Sequence, residues 1–187
     1  MERISAIYQT FSDLNQVIQK GDYEDCTFTN CNFANADFSN IHFTNCQFDT
    51  CDLHMVTLNK SSFKDVSFKD CKMLGLHFDA CNELLFSVNF NHCTLDFSSF
   101  YKMKVKGTSF TDCSLHETDF TQSDLSNAVF KNCDLLNASF ERSNLENTDF
   151  RTAFNYSIDP EMNRLKKTKF SKDGLMGLLR KYDINIS

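Results

Sequence analysis

The segment YEDCTFTNCNFANADFSNIHFTNCQF, residues 23–48, places a large apolar residue at every fifth position: Tyr23, Phe28, Phe33, Phe38, Phe43 and Phe48. The series continues through Leu53, Leu58, Phe63, Phe68, Met73 and Phe78. After a slip of two residues it resumes at Leu85 and runs through Phe90, Leu95, Phe100, Val105, Phe110, Leu115, Phe120, Leu125, Phe130, Leu135, Phe140, Leu145 and Phe150. That is twelve positions before the slip and fourteen after it, in a chain that is 41% hydrophobic. An unbroken run of that length arises by chance about once in 10¹⁰ trials, so the period of five is a property of the fold.

Two residues before each centre lies a second apolar or small position: Cys26, Cys31, Ala36, Ile41, Cys46, Cys51, Val56, and later Ala128, Cys133, Ala138, Ser143 and Thr148. The other three positions are mostly polar. A helix cannot keep this pattern on one face, because five residues rotate it by about 500°. A straight strand alternates faces at any odd period. The backbone must therefore turn a corner every five residues, and short segments joined by corners stack into a solenoid with coils about 4.8 Å apart. Cys31, Cys51, Cys71, Cys93, Cys113 and Cys133 recur at 20 residues, or 22 across the slip, so four pentapeptides make one coil and these thiols form one column. The pentapeptides then form about 6.5 coils. A thiol column raises the question of metal or redox chemistry, but tetrahedral ligation wants converging ligands such as a CxxC pair, and none is present. Packing is the favoured role.

The 187 residues suit one folding unit. The 20 Phe, single Pro, 5 Gly and absent Trp exclude a low-complexity or collagen-like chain. The net charge of −6 argues against direct nucleic-acid binding, which needs an excess of bases. No apolar stretch is long enough to cross a membrane, and Met1 to Lys20 lacks the features of a signal peptide. A cytoplasmic protein with reduced thiols is expected.

Ala36-Asp37-Phe38-Ser39-Asn40, Ser123-Asp124-Leu125-Ser126-Asn127 and Ser143-Asn144-Leu145-Glu146-Asn147 read small, polar, large apolar, polar, polar. In this the chain resembles the pentapeptide repeat family over about residues 23 to 154. The resemblance implies an all-β fold, a right-handed quadrilateral β-helix. Some members protect DNA gyrase from quinolones or microcins, which implies a non-catalytic, acidic DNA mimic that binds a topoisomerase. The alternative is a scaffold with another protein partner. The longer projecting loops of many quinolone-resistance members are missing, so members without such loops are the comparison this sequence resembles more.

Solenoid ends need covering. Residues 1–22 are expected to form an N-terminal helical cap, since Ile4, Ile7, Phe11, Leu14 and Ile18 follow helical spacing. In residues 155–187, Asp159-Pro160-Glu161 reads as a helix start, and Ser171 as the cap of a helix carrying Leu175, Leu178, Leu179 and Tyr182. Ile184 and Ile186 alternate like a short strand. The resemblance implies dimerisation through this C-terminal element; simple end-capping is the other reading. The slip at Cys81–Phe86 is read as a small bulge in preference to a functional loop.

Charge is uneven along the rod: residues 23–59 carry five acids and no base, 60–106 five acids and seven bases, 107–150 eight acids and two bases, and the segment from Asn155 four acids and seven bases. Above the thiol column, outward positions hold Met55, Leu74, Phe97 and Leu136, with Asp52, Asp96, Glu117 and Asp134 nearby, the profile of a partner-binding face. The five histidines fall on outward positions. No phosphate loop, nucleophile elbow or set of converging titratable groups appears, so no catalytic residues, metal ligands or cofactor are expected.

Overall fold

The computed structural model describes residues 4–7, 9–15, 17–182 and 184. It is a four-sided parallel β-solenoid. Two adjacent sides are regular sheets. One holds β1 (Ile4–Ile7), β3 (Gly21–Glu24), β5 (His42–Thr44) and β7 (Ser62–Lys64) in the order β1-β3-β5-β7. The other holds β2 (Thr10–Ser12), β4 (Thr27–Thr29), β6 (Gln47–Asp49), β8 (Val66–Lys69), β9 (Val88–Asn91), β10 (Ser109–Thr111) and β11 (Val129–Lys131) in the order β11-β10-β9-β8-β6-β4-β2. All pairs are parallel; Phe28 faces Phe48 and Phe48 faces Phe68, while Phe68 faces Phe90 across the slip. The remaining sides are single-residue bridges such as Asn32 to Asp52 and Ser99 to Asp119.

Side-chain size explains the inward set. Of the twenty-six centres, all but Leu85 are buried. Phe11, Phe28, Phe48, Phe68, Phe90, Phe110, Phe130, Phe150 and Phe170 stack in one continuous column, with centroids 4.6 to 5.6 Å apart. Each buried ring contributes about 1.5–3 kcal/mol, and each stacked pair about 0.5–1.5 more. The small position serves as a donor: Ser61, Thr118 and Thr148 hydroxyls donate to the carbonyls of Phe38, Leu95 and Leu125 at 2.8, 3.1 and 2.8 Å. Cysteine does the same more weakly, Cys51 to Phe28 O at 3.4 Å and Cys133 to Phe110 O at 3.3 Å.

Corners are made by the residue two after most centres, which takes a left-handed backbone, as at Asn30 (φ 53°), Asn35 (60°) and Asn127 (62°). Asn and Gly tolerate this region best. The residue before the centre braces the corner, because its side-chain oxygen accepts the backbone N–H two residues on: Asp37 from Ser39 at 2.8 Å, Asp119 from Thr121 at 2.8 Å, Asp124 from Ser126 at 3.1 Å. Part of the acidity of the rod is thus built into its corners.

Three expectations are corrected. The N-terminal segment is a further coil and not a helical cap: β1 pairs with β3, Ala6 lies opposite Tyr23, and Phe11 stacks on Phe28, at an offset of 17 residues instead of 20. A strand satisfies the open backbone edge of β3 and β4, which a helix would leave unpaired.

At the other end Asp159–Met162 is a single turn, with Glu161 N–H donating to Asp159 Oδ1 at 2.8 Å. The chain then re-enters the ladder through Arg164 and Lys169, and Phe170 covers Phe150. Among the described residues only 3₁₀ turns follow, Asp173–Leu178 and Arg180–Tyr182. Six residues with two glycines are too few to nucleate an α-helix, and a Cβ at Gly174 or Gly177 would overlap Tyr156. Of the expected Ile184–Ile186 strand, Ile186 lies outside the described residues.

At the slip, Leu85 is 62% exposed with φ 60°, and Phe86 packs edge-on against Phe63 and Phe78. The extra residues push the ring position one place along. The segment stays short and rejoins the ladder at Ser87, whose N–H donates to Phe63 O at 2.9 Å.

Candidate partner-binding face

The side centred on Phe33, Leu53, Met73, Leu95, Leu115 and Leu135 carries the Cys31 to Cys133 column at its inner edge. On its outer corner successive coils are locked together: Met55 N–H donates to Leu74 O, Gly75 to Asp96 O, Phe97 to His116 O and Glu117 to Leu136 O, all at 2.9 Å. The expected face residues are therefore brought onto one strip, one coil above the next. Met55 is 58% exposed, Phe97 56% and Leu136 39%, while Leu74 is half-buried.

What sequence reading missed is the backbone of two of them. Met55 (φ 55°) and Phe97 (φ 60°) occupy the left-handed corner, where Asn stands at many other corners. Left-handed backbone costs an ordinary L residue about 1–2 kcal/mol, and exposure of these side chains gains nothing in folding. The residue two after each centre is the signal that locates them. Between them Gly75 (φ 66°) leaves room for the Met55 side chain, whose Sδ lies 2.6 Å from where a Cβ would stand. Asp52, His54, Met55, Lys72, Leu74, Gly75 and Phe97 line a shallow, mostly apolar groove of about 530 Å³.

The acids of the strip are held in place. Asp52 Oδ1 lies 2.7 Å from His54 Nδ1. Partial burial works against the ionised Asp52, but His54 outweighs it and the pKa is lowered. Asp96 accepts Ser114 Oγ at 2.6 Å and His116 N–H at 2.9 Å. His116 bridges two coils, with Nε2 2.9 Å from Asp134 Oδ2 and Nδ1 3.9 Å from Asp96 Oδ2. Asp134 accordingly raises the His116 pKa. Glu117 sits exposed at its corner (φ 54°).

All nine thiols are free and buried. Burial pushes Cys46 up to about 11 and Cys81 higher still, so these remain protonated. Among the described residues no group of three or more His, Cys, Asp or Glu converges as metal ligands, and no helix is long and apolar enough to cross a membrane.

The C-terminal candidates do not form one stripe. Leu178 packs against the core, Leu179 is half-buried, and Leu175 and Tyr182 are 49% and 50% exposed. Lys181 ties this end down through Asp159 and Glu161, both at 2.7 Å.

A filled four-sided solenoid with its distinctive chemistry on the outer corners defines a repeat protein of the β-helix class. The model of the pentapeptide repeat region matches residues 22–83 and 83–153, and the chain belongs to the pentapeptide repeat family. Comparison with the curated proteins finds no match. Among solved structures it resembles full-length QnrB1, a plasmid-mediated fluoroquinolone resistance protein, at 16% identity and a TM-score of 0.55 over 96% of this chain and 100% of that one. HetL, a pentapeptide repeat protein involved in heterocyst differentiation regulation from the cyanobacterium Nostoc, matches at 13% identity and a TM-score of 0.52, covering 92% and 89%. At these identities the likeness is one of fold.

Proposed function

We propose that this protein is a non-catalytic binding rod that engages a basic protein partner through the strip bearing Met55, Leu74, Phe97 and Leu136. One observation carries the reading: two large apolar side chains are kept exposed at left-handed corners, where Asn would serve the fold better. The interior is filled by stacked rings, and the buried thiols donate to carbonyls. That leaves the exterior as the working surface.

The partner we put first is a type II topoisomerase such as gyrase, with the acidic rod imitating duplex phosphate. The fold likeness to QnrB1 and the net charge of −6 support this. Purified gyrase tested for supercoiling with and without a quinolone should show inhibition or protection. No effect at micromolar concentration would refute the topoisomerase reading. A scaffold role with a different protein partner is the second reading; corner-bracing by Asp37, Asp119 and Asp124 favours it, because it gives the acidity a structural cause. Cytoplasmic residence and a homodimer joined at the C-terminal end belong to the first reading. Sedimentation equilibrium of the full chain tests the dimer; a monomer at all concentrations refutes it.

A further inference from the structure

We infer that the strip seats a single amphipathic α-helix of a basic partner, laid along the axis of the rod; this rests on the reading of that strip as a protein-contact surface. Spacing is the first argument. Met55 and Phe97 lie two coils apart, and Leu136 lies two coils beyond Phe97 but one residue earlier in its pentapeptide, which sets the exposed apolar rows about 9.6 Å apart at the spacing of adjacent strands, with half-buried Leu74 between the first two. A helix returns a residue to the same face every seven positions, about 10.5 Å along its axis. Same-face residues of an extended chain fall at about 6.6 or 13 Å. The rows match the helix and miss the strand. From Met55 to Leu136 the strip runs four coils, about 19 Å, which two heptads span.

Charge selects the partner. Asp52 lines the groove with His54 and Lys72, and Asp96, Glu117 and Asp134 follow along the strip, with His116 between Asp96 and Asp134, so that acids outnumber Lys and Arg beside the apolar rows. The same face of a second copy would set carboxylates against carboxylates, and a nucleic acid would bring phosphates; a helix with Lys or Arg beside its apolar stripe complements the strip. The groove walls suit such a guest, since the Met55 thioether over Gly75 is adaptable and the Phe97 ring offers a flat face one step further on.

The test uses a labelled peptide of about three heptads, with Leu at one position of each heptad, Lys and Arg on either side and Ala elsewhere. Its binding to the full chain is followed by fluorescence anisotropy and its helicity by circular dichroism. Saturable binding, a gain in helicity and weakening with salt are expected. The double variant M55N/F97N should bind at least about 10-fold more weakly while its melting temperature does not fall, since Asn is at home in both corners. Absence of binding overturns the inference. So does equal binding by a scrambled peptide, by a Pro-interrupted one or by its acidic counterpart, or an undiminished affinity in the variant. The supercoiling assay separates the two failures: a silent peptide with M55N/F97N still abolishing the effect on gyrase removes the helix and keeps the face. If M55N/F97N changes neither peptide binding nor the effect on gyrase, the face is removed as well.

Discussion

Two columns run along this rod under the same coil-to-coil geometry, and they answer to different rules. Inside, Phe11 to Phe170 stack ring on ring, each filling the space its neighbours leave. Outside, Met55, Gly75, Phe97 and Glu117 occupy successive corners of one side, and three of the four are residues that the corner backbone disfavours, two of them large, apolar and exposed. The inner column is what folding would choose. The outer one departs from it where a partner would touch, and that difference points to recognition.

The comparison breaks most sharply from within. Phe110 stacks on Phe90 at 5.2 Å and on Phe130 at 4.8 Å, fully buried. Phe110→Ala should destabilise by about 3–5 kcal/mol, measured by denaturant unfolding, because the neighbouring coils are held by their ladders and cannot collapse into the space. On the outer column Gly75→Ala should cost about 1–2 kcal/mol, through its left-handed backbone and the clash with Met55 Sδ. Phe97→Asn should instead raise stability by about 1 kcal/mol, visible as a higher melting temperature, at the expense of partner binding.

The smallest effect is electrostatic. His116 has a raised pKa, so its stabilisation is complete below the unfolded value of about 6.5 and fades as pH rises through the higher folded value. A His116→Asn variant should therefore lose stability relative to the parent at pH 6 and match it at pH 9. The difference should stay under about 1 kcal/mol, because the pair is partly solvated.

Most of the body was legible in advance, because a period of five leaves no regular helix or strand as a solution. The assignment of inward residues holds from Tyr23 to Phe150 apart from Leu85, and the six thiols from Cys31 to Cys133 do lie in one column. The ends were harder to read. Ile4 to Ile18 satisfied helical spacing by accident, and a coil shortened to a 17-residue offset hid the true pairing. Leu165 and Phe170 continue the fives in register with Leu145 and Phe150, but Asn155 and Pro160 interrupt the count, and the last coil looked like the start of a cap. Of the candidate face, the structure places the residues on successive coils of one side, while the left-handed backbone of Met55 and Phe97 is not legible in the sequence.

The sequence by itself determined which residues point inward and how many make a coil, because burial of large side chains is a local, periodic decision written into each pentapeptide. Only the tertiary structure decided where the solenoid starts and stops, and which outer residues share a corner. Those outcomes depend on hydrogen bonds between coils about twenty residues apart, which no single repeat encodes.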